Sequence, residues 1–109
     1  MAAFDFSSVQ NQLDSFCQRQ GIIELAAFGS AVTSDFNNEK SDIDLLVTLP
    51  PSNTRTLFDF AGLIVELEAV FGRRVDLVDK CVLLKSGLPR SKALILSTAK
   101  ILYTNDQAA

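Results

Sequence analysis

Histidine is absent from this 109-residue sequence. Imidazole general acid/base chemistry is therefore excluded, and a zinc site of ordinary type has too few ligands to form. Cysteine is scarce. Cys17 and Cys81 lie far apart, neither belongs to a C-x-x-C pair, and the expectation is two buried free thiols rather than a disulfide. A basic excess is also missing: 10 Lys and Arg stand against 13 Asp and Glu, a net charge of −3. Proteins that live on a nucleic-acid backbone carry a clear positive surplus, so direct nucleic-acid binding is not expected. No apolar run reaches membrane-spanning length, and MAAFDFSSVQ lacks the basic start and long apolar stretch of a signal peptide. These absences point to a soluble, cytoplasmic protein with no membrane partner.

What is present describes a globular chain. Apolar residues make up 48% and charged residues 21%, a balance that supports a core and argues against disorder. The length suits one domain spanning residues 1–109. Ser7 with Gln10 has the spacing of a capping box, and Val9, Leu13, Phe16 and Cys17 follow at helical intervals. This predicts a helix from about Ser8 to Gln20, stopped at Gly21. A short apolar run from Ile22 to Phe28 reads as a buried strand ended by Gly29-Ser30. After a polar stretch, Asp42 to Leu49 reads as a second strand closed by Pro50-Pro51. Helical spacing returns from Thr54 to Phe71, with Gly72 as its cap. Arg74 to Val78 is a third strand, Ser91 to Thr98 a further helix, and Ile101 to Tyr103 a last strand. The predicted class is α+β, close to α/β: a small mixed sheet of about four strands with helices packed mainly on one face.

The chemistry concentrates in three acids and one turn. Strand side chains alternate faces, so Asp42 and Asp44 point to one side while Ile43, Leu45, Val47 and Leu49 point to the other. Two carboxylates side by side repel and lose hydration. A divalent cation offsets both costs, and an all-oxygen ligand set suits Mg²⁺. Asp76 sits amid apolar residues in Arg74-Val75-Asp76-Leu77-Val78 and needs a partner; Arg74 falls on its face. If that strand lies beside the Asp42 strand, Asp42, Asp44 and Asp76 form one metal and catalytic cluster. Gly29-Ser30 ends a strand before a short helical turn, where exposed N–H groups and a hydroxyl make a phosphate cradle. Each feature alone has a plain explanation: a D-x-D is usually a turn or a solvated strand start, Gly-Ser a turn, and Asp76 an edge-strand charge. Their joint order is what points to chemistry. The aromatics Phe58, Phe60 and Phe71 read as core rather than as a base-stacking platform.

Gly29-Ser30 followed by Ser41-Asp42-Ile43-Asp44-Leu45-Leu46-Val47 resembles the signature of the polymerase-beta nucleotidyltransferase superfamily. Arg74-Val75-Asp76-Leu77-Val78 resembles the segment carrying its third carboxylate, and Ile101-Leu102-Tyr103 the end of the minimal nucleotidyltransferase (MNT) subgroup. The resemblance implies the polymerase-beta-like fold. It places Gly29 and Ser30 at the triphosphate, Asp42 and Asp44 on Mg²⁺, and Asp76 near an attacking hydroxyl. The implied reaction is Mg²⁺-dependent transfer of a nucleoside monophosphate from a nucleoside triphosphate, ATP by the family's habit, to a hydroxyl acceptor. MNT proteins pair with a helical HEPN-type partner as toxin–antitoxin systems, and some transfer AMP to a tyrosine of that partner; a homo-oligomer is another way to complete the site. One departure stands out. The family follows Gly-Ser with Arg-x-Arg-Gly, whereas this chain has Ala31, Val32, Thr33 and Ser34, leaving Arg73, Arg74, Arg90 and Lys92 as substitute cations. The alternative reading is a catalytically degenerate antitoxin that acts as a protein-binding module.

Overall fold

The computed structural model describes residues 5–32, 42–50, 56–85 and 89–105, and for 30, 31, 89–92 and 94 it describes the backbone alone. Chain entry is a 3₁₀ turn, Phe6–Val9, running straight into helix α1, Gln10–Gln20. The cap is Asp5, whose carboxylate accepts the Ser7 N–H at 3.1 Å, rather than the expected Ser7–Gln10 box. Gln10 is drawn elsewhere: its amide donates to Asp14 at 2.9 Å and to the Leu102 carbonyl at 2.8 Å. Leu13, Phe16 and Cys17 face inward, and the helix ends on left-handed Gly21.

Strands β1 (Glu24–Phe28) and β2 (Ile43–Thr48) pair antiparallel. Helix α2 (Leu57–Phe71) carries a true capping box: Thr56 Oγ1 accepts the Asp59 N–H, and the Asp59 carboxylate accepts the Thr56 N–H, each at 3.1 Å. Two orphan donors of the first turn are thus satisfied reciprocally. The helix crosses back to β3 (Val75–Asp79), which pairs parallel to β2, and the Val75 N–H is held by the Glu68 carboxylate at 3.2 Å. Next comes a short helix the sequence did not announce, α3 (Lys80–Lys85), then α4 (Pro89–Thr98) and β4 (Lys100–Thr104). Six residues are too few to display helical periodicity, which is why α3 escaped notice.

The sheet order is β3-β2-β1-β4. A bulge shifts the β1–β4 register between Leu25 and Ala26, and Leu102 falls between the paired Ile101 and Tyr103. Bulges break the ladder locally, and Gln10 takes up the Leu102 carbonyl there. The main core lies on the face covered by α1 and α2, where Leu13, Phe16, Leu63, Leu67 and Phe71 meet Leu25, Ile43, Leu45, Val47 and Val75. A smaller cluster under α3 and α4 joins Ala26, Phe28, Leu46 and Leu83 with Val78, Ile95 and Ala99. The four-stranded mixed sheet and the α+β class are as expected; the larger core lies on the α1–α2 face, while α3 and α4 cover the other.

Two expectations on burial change. Cys17 is buried and Cys81 is exposed, both as free thiols. Phe60 and Phe71 join the core, but Phe58 is 86% exposed. The inward stripe of α2 runs through Phe60, Leu63, Leu67 and Phe71, and Phe58 falls outside it. Among the described residues, no helix is long and apolar enough to cross a membrane.

Candidate functional site

Parity carries the three acids to one face. Ile43, Leu45 and Val47 enter the main core, so Asp44 shares the opposite face with Leu46. Val75 likewise enters that core and Val78 the smaller cluster, which puts Asp76 on the face of Asp44. The parallel β2–β3 register then sets Asp44 directly beside Asp76. The Asp44 carboxyl therefore feels the Asp76 carboxyl directly across the two strands. Desolvation by burial, the Asp76 charge and hydrogen bond, and the Asp42 charge together push the Asp44 carboxyl up to about 6.

The turn after β1 closes on the same point. Phe28 pairs with Asp44, and Gly29 opens a 3₁₀ turn, Gly29–Val32. Gly29 has φ 71°, and a Cβ built on it would lie 2.7 Å from Asp44 Oδ2. Only glycine both adopts that conformation cheaply and leaves the carboxylate room. The Gly29 N–H points to Thr98 Oγ1 at 3.5 Å, while that hydroxyl donates to the Ile95 carbonyl at 3.3 Å. Thr98 thus ties the end of α4 to the turn. No sequence signal marked it, because the contact spans 69 positions.

The site residues expected from sequence are brought together unevenly. Asp44 lies against Gly29 on one side and in register with Asp76 on the other, and Asp42 acts on Asp44 through its charge. Among the described residues no three His, Cys, Asp or Glu side chains already converge tightly enough to hold an ion. The donor set nonetheless fits a hard divalent cation: it is all carboxylate, and the burial and neighbouring negative charge that push Asp44 up are what a cation would offset. The Ser30 side chain and residues 33–41, with Thr33, Ser34 and Ser41, lie outside the described residues, as do the side chains of Arg90 and Lys92. Arg73 is half-buried and Arg74 exposed.

A profile of the nucleotidyltransferase domain matches residues 9–102, nearly the whole chain. A curated relative, protein adenylyltransferase MntA of Thermococcus cleftensis, is 40% identical over 74 residues, covering 68% of this chain and 71% of the relative. The chain belongs to the minimal nucleotidyltransferase family. This nucleotidyltransferase also superposes on a solved structure described as a minimal nucleotidyltransferase, with a TM-score of 0.66 and 33% identity, over 87% of this chain and 90% of the other. Its fold recurs in a toxin–antitoxin crystal structure with AMP-PNP, at TM-score 0.66 and 22% identity, covering 91% of this chain and 76% of the other. It recurs again in the complex of a tri-AMPylated Shewanella oneidensis HEPN toxin with its MNT antitoxin, at TM-score 0.63 and 20% identity, over 95% and 76% of the two chains. At that identity the last two likenesses speak for the fold alone. The profile and the relative agree on a transferase.

Proposed function

We propose that residues 1–109 form one domain that transfers AMP from ATP to a hydroxyl of a protein acceptor, with Asp42, Asp44 and Asp76 holding Mg²⁺ and Gly29-Ser30 cradling the triphosphate. The observation that carries this reading is the contact of Asp44 with Asp76 beside the Gly29 turn. When bound, Mg²⁺ supplies charge neutralisation for the phosphates. Gly29 keeps backbone N–H groups within reach of phosphate oxygens at the start of a turn. Asp76, the more exposed of the contacting pair, accepts the proton of the attacking hydroxyl on its carboxylate. The acceptor oxygen forms its bond to the α-phosphorus as the bond to the β-phosphate oxygen breaks, and pyrophosphate leaves. A HEPN-type partner presenting a tyrosine is the acceptor this reading favours, in keeping with the toxin–antitoxin structures that share the fold.

The deciding experiment incubates the chain, its co-expressed partner, Mg²⁺ and ATP labelled on the α-phosphate. Label on a partner tyrosine, lost with Asp44→Asn, is the expected result. Label on neither protein, with the partner still bound, would instead favour a degenerate antitoxin acting as a binding module. That second reading draws on Ala31 and Thr33 standing where the family has arginines.

A further inference from the structure

We propose that Arg74 is the cation that holds the α-phosphate of the bound nucleotide, from the β3 side of the site, compensating for the arginines missing after Gly29-Ser30. The inference rests on the nucleotide reading above and adds a residue to it. The parallel pairing continues one step before both strands: the Ile43 N–H donates to the Arg74 carbonyl at 3.0 Å, and Ile43 is in register with Val75. Arg74 therefore stands beside Asp42, as Asp76 stands beside Asp44. Two residues before Asp76, it starts from the face that bears the acids.

Its guanidinium is also available. Arg74 is exposed, and among the described residues no ion pair or side-chain hydrogen bond engages it. Three other described cations are committed elsewhere: Arg19 to Glu66, Lys80 to Glu24 at 3.6 Å, and Lys100 over the Phe6 ring at 5.8 Å. An unpaired arginine next to a cluster of carboxylates that does not neutralise them is placed for an anion brought in with a metal. Arginine suits this better than lysine, because its fork takes two phosphate oxygens at once.

Sheet order decides which phosphate. The Gly29 turn follows β1, Asp42 and Asp44 belong to β2, and Asp76 and Arg74 belong to β3, in that spatial sequence. Strands are about 4.8 Å apart, so the turn and Arg74 are separated by roughly 10 Å. A triphosphate lying from the turn across β2 brings its attacked phosphate, the α, closest to Asp76 and Arg74. The turn is left with the far end of the triphosphate.

The test measures AMP, ADP and ATP binding with Mg²⁺, by competition against a fluorescent ATP analogue so that weak binders are still read. Wild type, Arg74→Gln and Arg74→Lys are compared, with melting curves to confirm folding. Since all three nucleotides carry the α-phosphate, Arg74→Gln should weaken each by a similar factor, about 10- to 100-fold. Arg74→Lys should fall in between, having charge without the fork. Equal affinities in wild type and Arg74→Gln overturn this inference and leave the nucleotide reading standing. A loss confined to ATP overturns the assignment to the α-phosphate. Wild type that binds none of the three with Mg²⁺ overturns both.

Discussion

Asp44 and Asp76 face each other across neighbouring parallel strands, and burial together with the Asp76 charge makes Asp44 keep its proton to higher pH, which ties the stability of the fold to pH. The sign of that dependence follows from the shift. The Asp44 carboxyl rises from 3.8 to about 6, so between those values the folded protein holds a proton that the unfolded chain has released. That contribution to stability is complete below about 3.8 and is lost as pH rises through about 6. In EDTA, Asp44→Asn should therefore melt higher than wild type at pH values above this window, and its melting temperature should depend less on pH within it. Scanning calorimetry across the window checks this; parallel pH profiles would contradict it.

Mg²⁺ should substitute for that proton. With metal at a hundred times its dissociation constant, binding to the folded state adds about 2.7 kcal/mol. For a domain of this size that raises the melting temperature by roughly ten degrees or more. Asp44→Asn removes a ligand and relieves the repulsion, so its Mg²⁺-induced rise should be much smaller. Thermal melts with and without Mg²⁺ settle the matter, and equal rises in both proteins would sink the shared-metal arrangement.

Two glycines separate backbone strain from close approach. Gly21 and Gly29 have nearly the same φ, 69° and 71°, but nothing lies within 4 Å of a Cβ on Gly21 while Asp44 Oδ2 lies at 2.7 Å from one on Gly29. Gly21→Ala should cost about 1–2 kcal/mol, the penalty of a left-handed alanine. Gly29→Ala should cost more and should also weaken Mg²⁺ and ATP binding, because Asp44 must move. Denaturant melts and binding titrations on both variants test the difference; matched losses in stability with intact binding would refute it.

The thiols should behave differently. Burial and the nearby Asp14 charge push Cys17 up to about 12, whereas Cys81 is exposed. A maleimide at neutral pH should label Cys81 within minutes and reach Cys17 only in denaturant. Intact mass before and after unfolding reads this directly, and early double labelling would mean that α1 opens locally.

Much of this molecule is written in local pattern. The alternation through Asp42, Ile43, Asp44 and Leu45 determined which face of β2 is acidic, because side-chain parity needs no tertiary information. Gly21 and Gly72 marked helix ends for an equally local reason, the left-handed φ that other residues resist. What the sequence by itself left undecided depended on pairing across the sheet. Whether Asp76 would meet Asp44, and Arg74 stand beside Asp42, turned on the register of two strands joined through α2, which no spacing rule supplies. Gln10 has the spacing of a capping residue, yet the bulge at Leu102 gave its amide a carbonyl in need of a donor 92 positions away. Cys81 became exposed because α3 turns it outward. In each case the tertiary structure decided, since the partner that fixed the residue's environment came from a distant part of the chain.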